Sequence, residues 1–220
     1  MTLAETAYQS LRNAIVRGEI APGSALKMAD LSARYDMGFS PLREALSRLL
    51  GERLVKAESL RGFKVSDLSL AEFEDALQAR LLVETEALRL SILRGDDAWA
   101  AQIVAATYAL RLQAERQGQG ADVWELEARH HAFHRALLAA SGSHWMLDFF
   151  EQLYLATDRY RLPILTSGSG RSDRNVVAEH AAIADATLAR DADLACRLLR
   201  DHYQATAATI RKRLSVGQGA

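Results

Sequence analysis

The stretch of sequence that decides the fold reads Ser40-Pro41-Leu42-Arg43-Glu44-Ala45-Leu46-Ser47-Arg48-Leu49-Leu50. Its apolar residues recur every three or four positions, which is the spacing of one buried stripe on an α-helix. We expect Ser40 to cap this helix and Pro41 to occupy its first position, where the missing N–H costs nothing. Arg43 and Ser47 then lie outside the buried stripe. The stretch predicts an amphipathic helix with a polar, basic outer face.

Short elements are predicted on both sides of this helix. A first helix is predicted over about Leu3–Arg17, and a second short helix near Met28–Tyr35 follows a turn that contains Pro22 and Gly23. Downstream, residues 56–65 have the pattern of a β-hairpin with Gly62 at its turn. This order is typical of a winged helix-turn-helix, whose second helix enters the major groove of DNA.

Polar side chains at the start of the amphipathic helix are candidates for base contacts. We expect Ser40, Arg43 and Ser47 to face base edges, with two N–H groups of Arg43 on one guanine. The candidates for phosphate contacts are Arg48, Arg53, Lys56, Arg61 and Lys64. The same pattern also fits a small helical subdomain with a solvated basic face.

The remainder of the chain is predicted to be helical. Ser69-Leu70-Ala71-Glu72 is a capping box, and long helices are predicted over about 70–93, 98–117, 123–140, 144–162, 175–189 and 192–214. Breaks are expected at Gly118–Gly120, at Pro163 and in the Gly/Ser loop 166–172, which we expect to be mobile. The sequence thus predicts a mainly α protein, with a winged helix-turn-helix over residues 1–68 and a bundle of six or seven helices over 69–220.

The charge of the chain differs between these two parts. The formal net charge is −1, from 27 Lys and Arg against 28 Asp and Glu. Residues 1–68 hold ten basic and eight acidic residues, which leaves seventeen and twenty for the rest, so the net charges are +2 and −3. The single Cys196 excludes an internal disulfide and a multi-cysteine zinc site. With no bilayer-length apolar run and no signal-peptide pattern, we expect a cytoplasmic protein without membrane association.

Four histidines in the helical part are candidate metal ligands. His130 and His134 are one helical turn apart and share a face, while His180 and His202 lie in the last two predicted helices. Imidazole binds many divalent transition metals, and a helical bundle can direct several side chains at one ion. The same residues also fit ordinary core or solvent-facing histidines. The His130–His134 segment lacks the glutamate of the zincin motif, so no general base accompanies the pair.

The N-terminal motifs resemble the DNA-binding domain of GntR-type bacterial transcription regulators. The resembling residues are Leu11-Arg12-x-Ala14-Ile15-x-x-Gly18-x-Ile20-x-Pro22-Gly23-x-x-Leu26, Ser40-Pro41-Leu42-Arg43-Glu44-Ala45-Leu46-x-Arg48-Leu49, Leu54-Val55 and Arg61-Gly62-Phe63-x-Val65. The resemblance implies that Ser40, Arg43 and the wing residues Arg61 and Gly62 contact operator DNA.

Two positions depart from this family pattern. Phe39 stands where the family often has an arginine, and Ala29 stands where the second helix usually begins with a basic residue. We therefore expect an operator that differs from the family's commonest one, with Phe39 in apolar contact with a base.

Residues 69–220 resemble the helical ligand-binding domain, called FCD, of the FadR subgroup of these regulators. The resembling residues are Phe133-His134-Arg135-Ala136-Leu137-Leu138-Ala139-Ala140-Ser141-Gly142, Glu179-His180-x-x-Ile183, Ala189-Arg190-Asp191 and His202. Many members bind a divalent metal through one Asp and three His, which implies His134, His180 and His202 as ligands. His130 occupies the position of the Asp. A set of four histidines favours Zn²⁺ or Ni²⁺ over Mg²⁺, and the alternative is that His130 is not a ligand.

The metal of this subgroup usually helps to hold a small carboxylate effector. The resemblance implies Arg80 as a carboxylate-binding residue, with Arg161 as a second candidate. Either arginine also fits a structural ion pair, for instance Arg80 with Glu84 one turn away. The whole pattern is most similar to glutarate- and carbon-starvation-responsive repressors, which implies a C5 dicarboxylate such as glutarate.

We expect a homodimeric transcription repressor and not an enzyme. A dimer places two recognition helices about one helical turn apart on a palindromic operator, and the effector shifts the balance between two domain arrangements. One alternative is a metal-dependent hydrolase that uses the histidine cluster with Glu127 as general base. Another is a helical interaction protein without a small ligand. The hydrolase alternative leaves the N-terminal motifs unexplained.

Overall fold

The computed structural model describes residues 2–58, 62–116, 122–166 and 174–217. The chain divides into two compact units, Met1–Phe73 with Leu155–Pro163 and Glu74–Tyr154 with Ile164–Ala220. The fold is mainly α, with an N-terminal winged helix-turn-helix followed by a helical domain.

The winged helix-turn-helix is built on two packed helices. Its elements are, in order, α1 (Leu3–Val16), β1 (Ala25–Leu26), α2 (Met28–Tyr35), α3 (Phe39–Gly51), β2 (Val55–Glu58) and β3 (Gly62–Val65). Leu11 of α1 and Leu42 and Leu46 of α3 are fully buried where these helices meet. Burial of one such leucine stabilises the fold by about 1.5–3 kcal/mol, so this stripe holds α3 in place.

The wing is a three-stranded antiparallel sheet in the order β1-β3-β2. The predicted hairpin is present, but it begins one residue earlier, with Val55 of β2 opposite Val65 of β3, and Phe63 lies opposite Leu26 of β1. The sequence did not predict β1, because two residues are too few to show a period of two. The hairpin turn with Arg61 lies outside the described residues.

The start of α3 differs from the prediction. Gly38 is the N-cap and the helix begins at Phe39, so Ser40 is its second residue and does not cap it. Gly38 has the extended backbone that an N-cap needs (φ −66°, ψ 165°). Pro41 then occupies the third position, where its missing N–H is still harmless because the first four N–H groups of a helix have no partner inside it.

Long helices follow in the rest of the chain. They are α4 (Leu70–Arg94), α5 (Asp97–Arg116), α6 (Val123–Leu138), α7 (His144–Thr166), α8 (Val176–Leu188) and α9 (Ala192–Gly217). The N–H of Glu72 donates to the Ser69 hydroxyl (3.3 Å), so Ser69 caps α4 as predicted. The predicted breaks at 118–120 and 167–172 lie outside the described residues.

Pro163 does not end α7, contrary to the prediction. The helix continues to Thr166, although an internal proline removes one hydrogen bond and crowds the preceding turn. Helix propensity is a local preference that the packing of a long helix overrides. Within the described ranges, no helix is long and apolar enough to cross a membrane.

Candidate metal centre and nucleic-acid interface

Four histidines from three helices meet in the interior of the second unit. Helix α6 supplies His130 and His134, α8 supplies His180 and α9 supplies His202. All four side chains are buried, and each has a ring nitrogen within 4.8 Å of a ring nitrogen on every other. The helical period alone places His130 and His134 on one face, whereas the packing of α8 and α9 adds the other two.

The spacing of two of these nitrogens fits a shared ion. Nε2 of His134 lies 3.2 Å from Nε2 of His130. Two nitrogens that bind one ion at 2.0–2.1 Å lie about 2.8–3.4 Å apart at octahedral or tetrahedral angles. The pair therefore has the separation of two ligands of one metal.

A tyrosine and a glutamate orient His134. The hydroxyl of Tyr203 donates to a carboxylate oxygen of Glu84, so its oxygen accepts the Nδ1–H of His134 (2.9 Å). With its proton on Nδ1, His134 has a lone pair on Nε2, which is the form that binds metals.

A second tyrosine and glutamate orient His130 in the same way. The hydroxyl of Tyr154 donates to Oε1 of Glu127 (2.5 Å), and its oxygen accepts the Nδ1–H of His130 (2.6 Å). The lone pair of His130 is therefore also on Nε2. Glu127, the candidate base of the hydrolase alternative, is engaged in positioning this histidine.

His202 is held directly by a carboxylate. Its Nδ1–H donates to Oε2 of Glu179 (2.7 Å), and Arg174 donates to the same carboxylate. These two partners lower the pKa of Glu179 to about 2, the hydrogen bond from His202 being the larger cause. Carboxylate–histidine pairs of this kind commonly support metal ligands, because they fix the ring and make its outer nitrogen more basic.

The environment keeps three of these histidines neutral. Burial, followed by the mutual repulsion of the neighbouring imidazoles, lowers the pKa of His130 and His134 well below the usual value. Burial also lowers the pKa of His202, in opposition to Glu179. Imidazole nitrogens suit Zn²⁺, Ni²⁺ or Cu²⁺, whereas Mg²⁺ and Ca²⁺ prefer oxygen.

Arg80 belongs to the network around His134. Its Nε donates to Glu84 (2.6 Å) and its Nη2 donates to the Tyr203 hydroxyl (3.1 Å). Its guanidinium also lies 4.8 Å from the ring centre of Tyr154. Burial opposes the positive charge, but Glu84 and the two tyrosines outweigh it and raise the pKa of Arg80. The structural ion pair with Glu84 is therefore present, and effector binding by Arg80 stays a prediction.

Arg161 is placed differently from Arg80. It belongs to the first unit and its Nη2 lies 2.6 Å from Oδ1 of the buried Asp158. This i, i+3 pair is the structural alternative that the sequence left open.

One side of α3 presents the residues predicted to contact bases. Phe39, Ser40, Arg43 and Ser47 are exposed and lie within an arc of about 100° around the helix. Phe39 is 53% exposed, so its ring is free to contact another molecule. The Ser47 hydroxyl donates to the carbonyl of Arg43 (2.9 Å), so its oxygen remains available as an acceptor.

Arg48 does not join this surface. It lies about 140° around the helix from Arg43, and its Nη1 contacts Oε2 of Glu5 on α1 (2.6 Å). Its guanidinium also lies 3.7 Å from the ring centre of Tyr8. These contacts join α3 to α1, and a phosphate contact by Arg48 stays a prediction.

The remaining candidates lie on or before the wing. Arg53 and Lys56 are exposed, whereas Lys64 pairs with Glu58 (3.5 Å) and Asp67 (3.3 Å). Gly62 begins β3 with a φ of +88°, a left-handed conformation that favours glycine.

Both parts of the chain match known families. Residues 3–65 match the bacterial regulatory proteins of the gntR family, and residues 75–205 match the FCD domain. The chain belongs to the GntR family. It is a DNA-binding transcription regulator of the GntR/FCD type and not an enzyme.

Full-length relatives support this assignment. The HTH-type transcriptional regulator BphR of Paraburkholderia xenovorans is 40% identical over 215 residues, which cover 96% of this chain and 86% of the relative. The HTH-type transcriptional repressor GlaR of Escherichia coli is 36% identical over 199 residues, covering 89% of this chain and 90% of the relative.

Solved structures show the same fold. Escherichia coli McbR/YncC superimposes with a TM-score of 0.81 at 18% identity, over 97% of this chain and 99% of that one. A GntR regulator from Rhodococcus sp. RHA1 has a TM-score of 0.77 at 22% identity, over 96% and 99% of the two chains.

The residues that sequence reasoning missed all orient the histidines. Tyr203, Tyr154 and Glu179 each come from a different helix than the histidine they contact, so no spacing in the sequence relates them. Glu179 alone had a signal, because it directly precedes His180 in the FCD-like motif.

Proposed function

We propose that the protein is a repressor that binds a palindromic operator as a homodimer and responds to a small carboxylate bound beside a divalent metal. Two relatives are named transcriptional repressors, GlaR and RspR of Escherichia coli, which supports repression over activation. The metal would be held by His130, His134, His180 and His202.

The oriented histidine nitrogens are the observation that carries the metal proposal. Hydrogen bonds engage Nδ1 of His130, His134 and His202, so all three rings offer Nε2 to one another inside the bundle. A bound Zn²⁺ or Ni²⁺ would supply a Lewis-acidic centre able to bind the carboxylate of an effector.

The effector proposal rests on the buried charge beside this site. Only the Tyr203 hydroxyl separates Arg80 from His134. Arg80 and the metal would provide two positive groups inside the second unit, which suits a ligand with two carboxylates. A C5 dicarboxylate such as glutarate is the effector we propose, with one carboxylate on the metal and the other towards Arg80.

The DNA proposal rests on the exposed side of α3. Arg43 lies beside Phe39 and Ser40 at the helix start, the part of a recognition helix that reaches base edges. The side chain of Arg43 would bond a guanine, Phe39 would contact an apolar base edge, and the wing at Gly62 would approach the backbone.

Metal content and thermal stability test the proposed metal and effector site. Protein purified without chelators should contain about one ion per chain, and glutarate should raise the melting temperature of metal-loaded protein more than that of EDTA-treated protein. Absence of stoichiometric metal, together with no stabilisation by added Zn²⁺, Ni²⁺ or Mn²⁺, would contradict the metal site.

DNA binding and its release test the regulator. Fluorescence anisotropy with DNA from upstream of the protein's own gene should show specific binding that competitor DNA does not remove. Glutarate should weaken this binding, with acetate as a matched monocarboxylate control. Release by acetate and glutarate alike would contradict the dicarboxylate, whereas binding that neither compound changes would contradict effector control.

A further inference from the structure

The four clustered histidines offer a metal no negative charge. His130, His134, His180 and His202 each present one nitrogen, and in the part of the chain that the structure describes no carboxylate or thiolate belongs to their group. An imidazole binds a metal through a lone pair and therefore in its neutral form. These four ligands would leave both charges of a divalent ion uncompensated.

Two carboxylates behind the histidines already have cations as partners. Glu84 accepts a hydrogen bond from Nε of Arg80 at 2.6 Å, and both side chains are buried. Glu179 accepts from two nitrogens of Arg174, and its Oε1 lies 2.8 Å from Nε. Opposite charges in contact largely cancel each other's field, so each pair does little to offset the charge of an ion among the histidines.

A third carboxylate lies farther from the cluster. The hydroxyl oxygen of Tyr154 stands between Glu127 and His130, at 2.5 Å from Oε1 of the first and 2.6 Å from Nδ1 of the second. Glu127 is partly exposed, and solvent weakens the field of a charge near the surface. Glu127 therefore offsets only part of one positive charge.

An uncompensated double charge is unfavourable in this interior. All four histidines are more than nine-tenths buried, and an ion that moves from water to a buried site loses hydration free energy. The same weak screening strengthens the attraction between the ion and an anion that enters with it. Two negative charges complete the balance, and a dicarboxylate carries both on one small molecule.

We propose that the neutral set of four histidines makes this a site for a metal and a dianion together, in which each raises the affinity of the other. The inference rests on the proposed metal and effector site, and it adds the reason why the effector carries two charges. Because linkage is reciprocal, the factor by which the dianion raises metal affinity equals the factor by which the metal raises dianion affinity. An aspartate among the ligands would supply one of the two charges, and the preference would then shift towards a monoanion.

The wild-type protein tests the coupling without any substitution. Competition with a colorimetric chelator in halide-free buffer gives the Zn²⁺ affinity alone, with glutarate and with pentanoate, after correction for Zn²⁺ bound to the anion itself. Pentanoate is the matched ligand, because it has the same number of carbons and one carboxylate fewer. We expect glutarate to raise the Zn²⁺ affinity by about 5- to 150-fold, the usual range of coupling between two ligands, and pentanoate to raise it by a smaller factor.

Substitution of His130 tests the role of charge. This histidine is the most exposed of the four, at 8%, so a change there disturbs the packing least. His130→Asp adds one negative charge, and His130→Asn is the matched control of the same size without the charge. With saturating Zn²⁺, His130→Asp should shift the ratio of glutarate to pentanoate affinity towards pentanoate by about tenfold or more. His130→Asn should keep the wild-type ratio.

A second variant changes the charge balance without altering a candidate ligand. Arg174→Gln keeps a hydrogen-bond donor beside Glu179 but removes its cation, so the charge of that carboxylate becomes available to the metal. Glutarate should then raise the Zn²⁺ affinity by a smaller factor than in the wild type. Arg129→Gln is the control, because it breaks an exposed pair with Glu125 on α6 and should keep the wild-type factor.

The outcomes separate this inference from the proposed function. Absence of bound metal, or of glutarate binding to metal-loaded wild type, would overturn the proposed function and this inference with it. If the wild type binds both but glutarate leaves the Zn²⁺ affinity unchanged, or pentanoate raises it as much as glutarate does, the site stands and the charge coupling is wrong. The coupling is also wrong if His130→Asp and His130→Asn have the same ratio of glutarate to pentanoate affinity, or if Arg174→Gln behaves like Arg129→Gln.

Discussion

Nε2 of His134 lies 3.2 Å from Nε2 of His130, although each ring already holds its proton on the other nitrogen. Two lone pairs thus face each other in a buried interior. A cation held by both nitrogens would replace this repulsion by two favourable contacts, so the geometry that is unfavourable without a metal would favour its binding.

Replacement of one cluster histidine should abolish metal binding. His134→Ala removes one of the inward nitrogens, and we expect loss of stoichiometric Zn²⁺ or Ni²⁺ and of stabilisation by added metal. For the wild type, metal at 100 times its dissociation constant should contribute about 2.7 kcal/mol of stability. His144→Ala is the control, because this exposed histidine at the start of α7 lies outside the cluster. Equal metal content in both variants would contradict the site.

Removal of a tyrosine hydroxyl should weaken metal binding without unfolding the chain. Tyr203→Phe deletes the group that accepts the proton of His134 and binds Glu84, and such supporting groups change metal affinity by about 10–100-fold. Competition with a colorimetric chelator measures this loss. Tyr108→Phe, at an exposed position on α5, should leave the affinity unchanged. A Tyr203→Phe protein with wild-type metal affinity would show that the Tyr203 hydroxyl does not position His134.

Acid should destabilise the metal-free protein from about pH 6.5 downward. Burial lowers the pKa of His130, His134 and His202 in the folded chain, so the unfolded chain binds protons first as the pH falls below the usual histidine value. The free energy of unfolding should then fall with a slope of up to about 4 kcal/mol per pH unit. Glu179, with its pKa of about 2, acts in the same direction below its usual value.

Urea unfolding at a series of pH values measures this slope. His130→Asn removes one of the three groups and should reduce the slope by about a third. Stability that is constant between pH 7 and 5 would contradict the assignment of neutral, buried histidines.

Loss of the Arg80 charge should destabilise the second unit strongly. Arg80→Met leaves the buried Glu84 without its cation, and breaking a buried ion pair in this way costs about 3–5 kcal/mol. The double variant Arg80→Met/Glu84→Gln removes both charges and should recover part of the loss. Denaturant unfolding of the two variants tests this, and additive losses would show that the pair is not coupled.

Substitution at two arginines of α3 should separate base contact from helix packing. Arg43→Ala should weaken specific operator binding by about 5- to 150-fold, the range of one bidentate base contact. Arg48→Ala is the control on the same helix, and its main effect should be on stability because Arg48 contacts Glu5 and Tyr8. Anisotropy titrations with specific and scrambled DNA measure both effects, and an equal loss for the two variants would contradict the separation.

Local patterns were sufficient for most of the secondary structure. The spacing of apolar residues predicted α3 and the long helices to within a few residues, because each buries one stripe. The predictions that were wrong concern the ends of individual helices. Ser40 was expected to cap α3, but Gly38 occupies that position, and Pro163 was expected to end α7, which continues to Thr166. Both errors arise where a local preference competes with neighbouring structure.

By itself, the sequence determined the order of elements and the identity of the candidate ligands. His130 and His134 share a face because the α-helix repeats every 3.6 residues, a property of the backbone that needs no tertiary contact. The motif spacing likewise determined the family, which the matches to the gntR and FCD families confirm.

Only the tertiary structure decided how those ligands are oriented. Tyr154, Tyr203 and Glu179 reach the histidines from other helices, and Arg80 is joined to His134 through Tyr203, a residue more than a hundred positions away along the chain. A hydrogen bond depends on distances of about 3 Å and on direction, and the packing of helices that are remote in sequence sets both. The sequence therefore identifies the candidate histidines, whereas the fold determines which ring nitrogen of each one is available to a metal.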